Sequence, residues 1–350
     1  MLVSKLSSLI DPLREMIYQY DVIIRGYREK SGAMIAGLTC DMFPPELTVP
    51  LGFVPVRVPS LTTGRCTAAG ISALTAIDRI YDCVIVPRGC AGRDCIPALK
   101  IPLYDFAVPA GWGEESSRAM ETALDDLLHS AGRGGLSSID VEPLRNVTNE
   151  YNALRRLVRG ITSVRRDKPD LISCRELSVV YEAAQVYPPA VVTGHLATLL
   201  EEMNRTESSI KNDAFPALLY GSFIGDAGVL DEIEEEGCRI VEDDACGGRR
   251  QFDMSYNHES SDLLREILDA FSYRPRCSSV RPFRERVELF YAMLKSHGIE
   301  LVVFLEDLCC SCRQRDIESL RLWLMRSGVD PIVVTSENAV ARIRDYISNI

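Results

Sequence analysis

Short apolar runs separated by helical patterns occur in two stretches of this chain, and this alternation constrains the fold more than any other feature. The runs that predict strands lie at residues 34–38, 53–58, 83–86 and 104–108, then at 217–225, 238–243, 301–305 and 331–335. Strands that alternate with helices pair in parallel, because each crossover helix carries the chain back to the starting edge of the sheet. The sequence therefore predicts an α/β fold with two parallel sheets.

The segments around these two stretches are predicted to be helical. Residues 1–30 form an N-terminal helical segment, 31–145 the first α/β domain, 146–213 a helical segment, and 214–350 the second α/β domain. A chain of 350 residues agrees with two domains of ordinary size. Five arginines of the helical segment are predicted to lie on a solvated helix face without a function: Arg155, Arg156, Arg159, Arg165 and Arg166.

The composition is that of a globular protein whose partners are not polyanions. Hydrophobic residues make up 46% of the chain and charged residues 25%, which supports a packed core. A net charge of -11 argues against a general binder of nucleic acid or anionic membrane, since phosphate contacts need clustered Lys and Arg. The sequence has no apolar run of about 18 residues, and its N-terminus lacks the features of a signal peptide. We therefore expect a cytoplasmic protein.

The chain contains twelve cysteines, which is informative for a protein of that compartment. Disulfides are rare in the cytoplasm, so metal binding or redox chemistry is the better interpretation of so many thiols. Cys83, Cys174 and Cys238 lie within apolar strand or helix patterns, and we expect these three to be core residues, as free cysteines often are.

Other cysteines directly follow predicted strands: Cys40, Cys90, Cys246 and the group at 309–312. In open parallel sheets, ligands bind beyond the carboxyl ends of the strands, so these thiols should gather there. Thiolates from separate loops can hold one iron–sulfur cubane. Structural zinc sites instead show paired ligands at short spacing, and no clean set of such pairs occurs in the sequence. The dispersed pattern favours a cluster, while zinc and plain buried thiols stay open as alternatives.

Several of these segments resemble those of a known family. The segments are residues 37–47, with the sequence GLTCDMFPPEL, and residues 51–57, 86–92, 241–248 and 301–312. Together they resemble the 2-hydroxyacyl-CoA dehydratase and benzoyl-CoA reductase superfamily, over nearly the whole chain. The resemblance implies two Rossmann-like domains with a helical middle, and an iron–sulfur cluster bound between the domains. It also implies a partner, an ATP-hydrolysing iron–sulfur activator that supplies electrons at very low potential.

The resemblance also implies a set of cluster ligands. Dehydratase subunits of the superfamily hold one 4Fe–4S cluster through three cysteines, which match Cys40, Cys90 and Cys312. A second branch holds an 8Fe–9S double cubane through six cysteines. Its extra positions resemble Cys66, Cys246 and Cys277, and because all six are present this branch is favoured. The last ligand loop contains three cysteines, so Cys309 or Cys310 could replace Cys312.

Glu46 is the one candidate catalytic residue that is not a cysteine. It follows a Pro-Pro pair close to Cys40, where it could line the cluster pocket or relay protons. The competing interpretation is a favourable charge in the first turn of a helix.

Three functions are compatible with the sequence. The first is an iron–sulfur reductase component that reduces a small molecule with electrons from the activator. The second is a subunit of a 2-hydroxyacyl-CoA dehydratase, which needs a cleft for an acyl-CoA and a partner subunit. The third is a non-enzymatic electron carrier or cluster scaffold. For the enzymatic functions we expect a dimer that works under anaerobic conditions.

Overall fold

The computed structural model describes most of the chain. The described residues are 4–59, 77–88, 96, 98–208, 214–221, 228–273, 277, 280–306, 311–329, 331–335 and 337–349. For residues 77, 78 and 311–314 the description covers the backbone alone. Predictions that concern Cys66, Cys90, Cys309 and Cys310 therefore lie outside the described residues.

Two four-stranded parallel sheets form the framework, as the sequence predicts. The first contains β1 (Ile35–Leu38), β2 (Val54–Arg57), β3 (Cys83–Arg88) and β4 (Leu103–Ala107) in the order β2-β1-β3-β4. The second contains β5 (Phe215–Gly221), β6 (Cys238–Ala245), β7 (Leu301–Leu305) and β8 (Ile332–Val334) in the order β6-β5-β7-β8. The two orders are the same, so each half of the chain repeats one Rossmann-like topology.

Helices connect and cover the strands. They are α1 (Ser7–Tyr18), α2 (Tyr20–Ser31), the turn α3 (Ile77–Ile80), α4 (Gly113–Ser130), α5 (Val141–Asp167), α6 (Cys174–Val186), α7 (Pro189–Arg205), α8 (Gly228–Glu235), α9 (Leu263–Tyr273), α10 (Phe283–Ser296), α11 (Ser311–Arg326) and α12 (Ala339–Ser348). Asp140 begins α5 by accepting a hydrogen bond from the Glu142 N–H, and Ser173 begins α6 with a capping box that includes Glu176. None of the described helices is long and apolar enough to cross a membrane.

Both faces of each sheet are buried, which explains why the strands are continuous apolar runs. One face of the first sheet packs against α1, α2, α5, α6 and α7, and the other against α4 and α9. The second sheet is covered by α8 and α12 on one face and by α10 and α11 on the other. Helix α9 follows β6 in the chain but packs on the first sheet, so the second half of the sequence also contributes to the first core.

The strand order fixes where a ligand can bind. In each sheet the chain goes from one central strand to an edge strand and then returns to the other central strand. The loops that follow the two central strands therefore run in opposite directions, and a crevice opens between these loops. In the first sheet these strands are β1 and β3, and β1 leads directly to Cys40. In the second sheet β6, at the edge, leads to Cys246. Both thiols therefore stand at carboxyl ends of strands, as expected from the sequence.

The prediction of a solvated arginine face on α5 is wrong for two of its members. Arg155 is buried and forms an ion pair with Glu46, and Arg165 is buried with hydrogen bonds to Glu234 and to the Ile240 carbonyl. Helix α5 lies between the first sheet and β6, so part of its arginine-bearing face is an internal surface. One further difference concerns a helix: α12 was not predicted from the sequence.

Candidate metal centre

Cys40 and Cys246 belong to different sheets, and the side chain of Arg250 connects their loops. The Arg250 Nε donates to Asp41 Oδ2 at 2.7 Å, and its Nη2 donates to the Cys246 sulfur at 3.3 Å. Its Nη1 lies 3.0 Å from Asp244 Oδ1. The Cys40 thiol in turn donates to Asp41 Oδ1 at 3.3 Å. One buried guanidinium thus brings the carboxyl end of β1 and the carboxyl end of β6 together.

Cys277 reaches the same place from the segment between α9 and α10. It is buried in a small cluster with Met42 and Val280, and Cys40 packs against that cluster. The Gly111 N–H donates to the Val280 carbonyl at 3.1 Å, which ties this segment to the loop after β4. Cys277 therefore lies beside the loop of Cys40, and Arg250 connects that same loop to Cys246.

The turn that carries Cys246 is shaped by the carboxylate of Asp243. Its Oδ1 accepts the backbone N–H groups of Ala245 at 3.3 Å and Arg249 at 3.0 Å, which closes the turn. Gly248 lies so close to this oxygen that a Cβ there would be 1.6 Å from it. Only glycine fits at position 248, because the Asp243 side chain comes so close to its backbone. Burial raises the pKa of this Asp243 carboxyl group to about 6.

Glu242, the residue before Asp243, is the buried centre of a group of cations. His297 Nε2 lies 2.9 Å and Arg166 Nη2 3.2 Å from its Oε2, which also accepts from Arg249. Burial raises the pKa of Glu242 to about 7, although Arg249 lowers it. Desolvation lowers the pKa of His297, and the nearby Arg166 and Arg249 lower it further. These contacts tie the Cys246 turn to α5 and to the end of α10.

Glu46, the predicted catalytic residue, lies in a 3-10 turn, Pro45–Thr48, and is fully buried. Its Oε1 is 2.5 Å from Arg155 Nη1. The Arg155 guanidinium lies between two rings, 4.9 Å from the centroid of Tyr256 and 5.6 Å from that of Tyr151. The attraction of Glu46 raises the pKa of Arg155 in spite of its burial, which lowers it. A catalytic role for Glu46 stays a prediction.

The remaining predicted ligands are only partly placed. Cys312 lies in the first turn of α11, which follows β7, but its side chain is outside the description. Cys66 and Cys90 are outside it altogether. Among the described side chains no group of three or more His, Cys, Asp or Glu is arranged to hold a metal ion. The predicted core residues Cys83, Cys174 and Cys238 are buried, and burial raises the pKa of each thiol, to about 12 for Cys83 and Cys238.

Four polar residues that organise the site were not predicted from the sequence: Asp41, Asp243, Asp244 and Arg250. Their signal was present, since an acidic residue follows Cys40 directly and the turn at Cys246 lies between acidic and basic residues. Asp41 and Arg250 are 209 positions apart, so their pairing is a property of the fold.

Fold and site together describe a two-sheet α/β protein with cysteines at the carboxyl ends of its strands. The model of one protein family, the 2-hydroxyglutaryl-CoA dehydratase D-component, matches residues 40–344. The match covers most of the chain and begins at Cys40, so the chain belongs to this family. The members of this family are components of enzymes. No protein with a curated function is similar enough in sequence to match.

Proposed function

We propose that this protein is the iron–sulfur reductase component of an ATP-dependent enzyme. It would accept low-potential electrons from an ATP-hydrolysing activator and reduce a small molecule at a cysteine-bound double-cubane cluster. The observation that carries the proposal is that Arg250 connects the loops of Cys40 and Cys246, while Cys277 packs beside Cys40, although these segments are far apart in the chain. Membership in the dehydratase family supports an activator partner.

The described residues fit a cluster in three respects. Their donors are thiols from several loops, which is the donor set of iron–sulfur centres. The Arg250 N–H already donates to the Cys246 sulfur, and hydrogen bonds to ligand sulfurs tune the potential of such centres. Met42 and Val280 are buried beside Cys40 and Cys277, and exclude water from that side.

A cluster bound here would supply electrons singly at low potential. The protein's own residues have separate tasks. Cys40, Cys66, Cys90, Cys246, Cys277 and Cys312 would hold the cluster. The ion pair of Arg250 and Asp41 holds the Cys40 loop of the first sheet next to the Cys246 loop of the second sheet. Asp243 stabilises the turn that carries Cys246. Glu46, paired with Arg155, would line the cluster pocket or relay protons.

A subunit of a 2-hydroxyacyl-CoA dehydratase with one 4Fe–4S cluster is the second candidate. The family that the chain belongs to carries the name of such an enzyme, which favours it. Cys40, Cys90 and Cys312 would then be the ligands. Under this candidate Cys246 and Cys277 are buried or half-buried thiols that hold no iron.

Iron and acid-labile sulfide, measured on anaerobically purified protein, decide between the two candidates. The proposal predicts about eight irons per chain, and the alternative about four, the counts of a double and a single cubane. Replacing Cys246 by Ala should remove about half or more of the iron under the proposal and none under the alternative. Cys238→Ala is the matched control, because Cys238 is a buried thiol on β6 far from the Arg250 network, and it should leave iron unchanged. A chain without iron would contradict both candidates.

A further inference from the structure

A small cavity lies directly beside Cys40, and Cys277 is not among the residues that line it. Its volume is about 50 Å³. Its lining includes Cys40 and Asp41, a polar wall made of Arg57, Gln185 and Gln251, and apolar and aromatic side chains. A water molecule needs roughly 10–15 Å³ by this measure, so the cavity holds about three to five non-hydrogen atoms.

The polar wall spans both halves of the protein. Arg57 ends β2, and its backbone pairs with Leu38 at the end of β1, next to Cys40. Its Nη1 donates to Gln185 Oε1 at 2.5 Å. Gln251 Nε2 donates to the same oxygen and to the Cys246 carbonyl, both at 3.1 Å. The wall is therefore held in place from β2, from α6 and from the Cys246 turn.

Arg57 is a buried cation whose charge is not matched by a carboxylate. It is only 6% exposed, and its Nε has no hydrogen-bond partner within the part of the chain that the structure describes. Among the described residues no carboxylate oxygen lies within 4.0 Å of its guanidinium. An ionised group in such a position is costly unless an opposite charge accompanies it, and arginine cannot give up its proton to escape the cost.

The other buried arginines near the cavity already have partners of opposite charge. Arg155, which also lines it, pairs with Glu46, and Arg250 pairs with Asp41 and Asp244. The three arginines are thus balanced in number by three carboxylates, but none of these carboxylates forms an ion pair with Arg57.

We infer that this cavity binds a small monoanion of carboxylate type, with about three to five non-hydrogen atoms, recognised by Arg57. The guanidinium fork fits two oxygens of one planar anion, which a lysine could not do. The inference rests on the proposed function and narrows it, since it names the substrate class of the reductase. An acyl-CoA, which has many times more atoms, could not be enclosed there.

A competing role for Arg57 is to offset the negative charge of the cluster itself. The two roles make different predictions, because charge compensation does not require a saturable binding site for a free anion. The experiment therefore measures anion binding directly, on the full chain purified anaerobically, independently of turnover.

Formate and formamide are the probes, titrated by calorimetry, because they have the same size and differ in charge. Wild-type protein should bind formate saturably and formamide at least tenfold more weakly. Arg57→Gln should weaken formate binding at least tenfold, and Arg57→Lys should give an intermediate affinity. Arg118→Gln, which changes an exposed arginine of α4, should bind as wild type does. Benzoate, with nine non-hydrogen atoms, should not compete with formate.

Absence of saturable formate binding would overturn the inference, as would equal binding of formate and formamide, or unchanged binding by Arg57→Gln. If Arg57→Gln does not fold, the formate-to-formamide ratio of wild type and the Arg57→Lys affinity decide in its place. The proposed function is judged separately by the iron count. Normal iron without formate binding refutes this inference alone, and formate binding without iron refutes the proposed function alone.

Discussion

Replacing Arg250 by Met tests whether one buried guanidinium holds the two cysteine loops together. The Asp41 side chain is fully buried and that of Arg250 is 2% exposed, so the change leaves a carboxylate without its cation in a place that water does not reach. Breaking a buried ion pair by removing one partner costs about 3–5 kcal/mol. For a chain of this size that corresponds to a fall in melting temperature of about 4–7 °C.

The assay is urea and thermal unfolding of cluster-free protein, so that the free energy of cluster binding does not enter the comparison. The double variant Arg250→Met with Asp41→Asn should recover about 2 kcal/mol of the loss, since the uncompensated charge is then gone. Arg118→Gln is the control for an exposed pair and should cost about 1 kcal/mol or less. A loss below about 1 kcal/mol for Arg250→Met, or strictly additive effects of the two changes, would refute this reasoning.

Two further predictions concern the turn that carries Cys246. Gly248→Ala should destabilise the protein and lower its iron content, because the new Cβ would meet Asp243 Oδ1 at 1.6 Å, whereas Gly247→Ala, with open space around it, should do neither. Equal iron content and equal unfolding midpoints in the two variants would contradict this. Burial raises the pKa of Glu242 to about 7, which is above its value in the unfolded chain. Between about pH 5 and 7 the native protein therefore holds a proton on Glu242 that the unfolded chain has released, and the free energy of unfolding falls as the pH rises. Glu242→Gln should remove a part of that fall on the order of 2 kcal/mol in urea titrations, and parallel pH profiles of variant and wild type would count against it.

The sheets could be predicted from the sequence because their strands are buried on both faces. Residues 301–305 form a continuous apolar run, and the structure places β7 on the same five residues. Parallel strands covered by helices need such runs, and few other structures do. Helix α12 was missed because its inward side chains, such as Ala339 and Ile343, are few, and its stability comes from packing against the second sheet.

The site could be predicted only in outline. Strand ends followed by cysteines are local patterns, so the positions of Cys40 and Cys246 could be inferred without the fold. The burial of the arginines on α5 could not be predicted from the sequence. Their spacing is the same whether their face of the helix contacts water or packs against another helix or strand. Arg155 became internal because Glu46, from a distant turn, offsets its charge, and a partner of that kind is invisible to periodicity.

Anomalous scattering at the iron edge, from an anaerobically grown crystal, tests the central claim most directly. We expect iron within bonding distance of the sulfurs of Cys40, Cys246 and Cys277, with Cys66, Cys90 and Cys312 completing the ligand set. Iron bound elsewhere in the chain, or a crystal of active protein in which these sulfurs lie far apart with no iron between them, would contradict it.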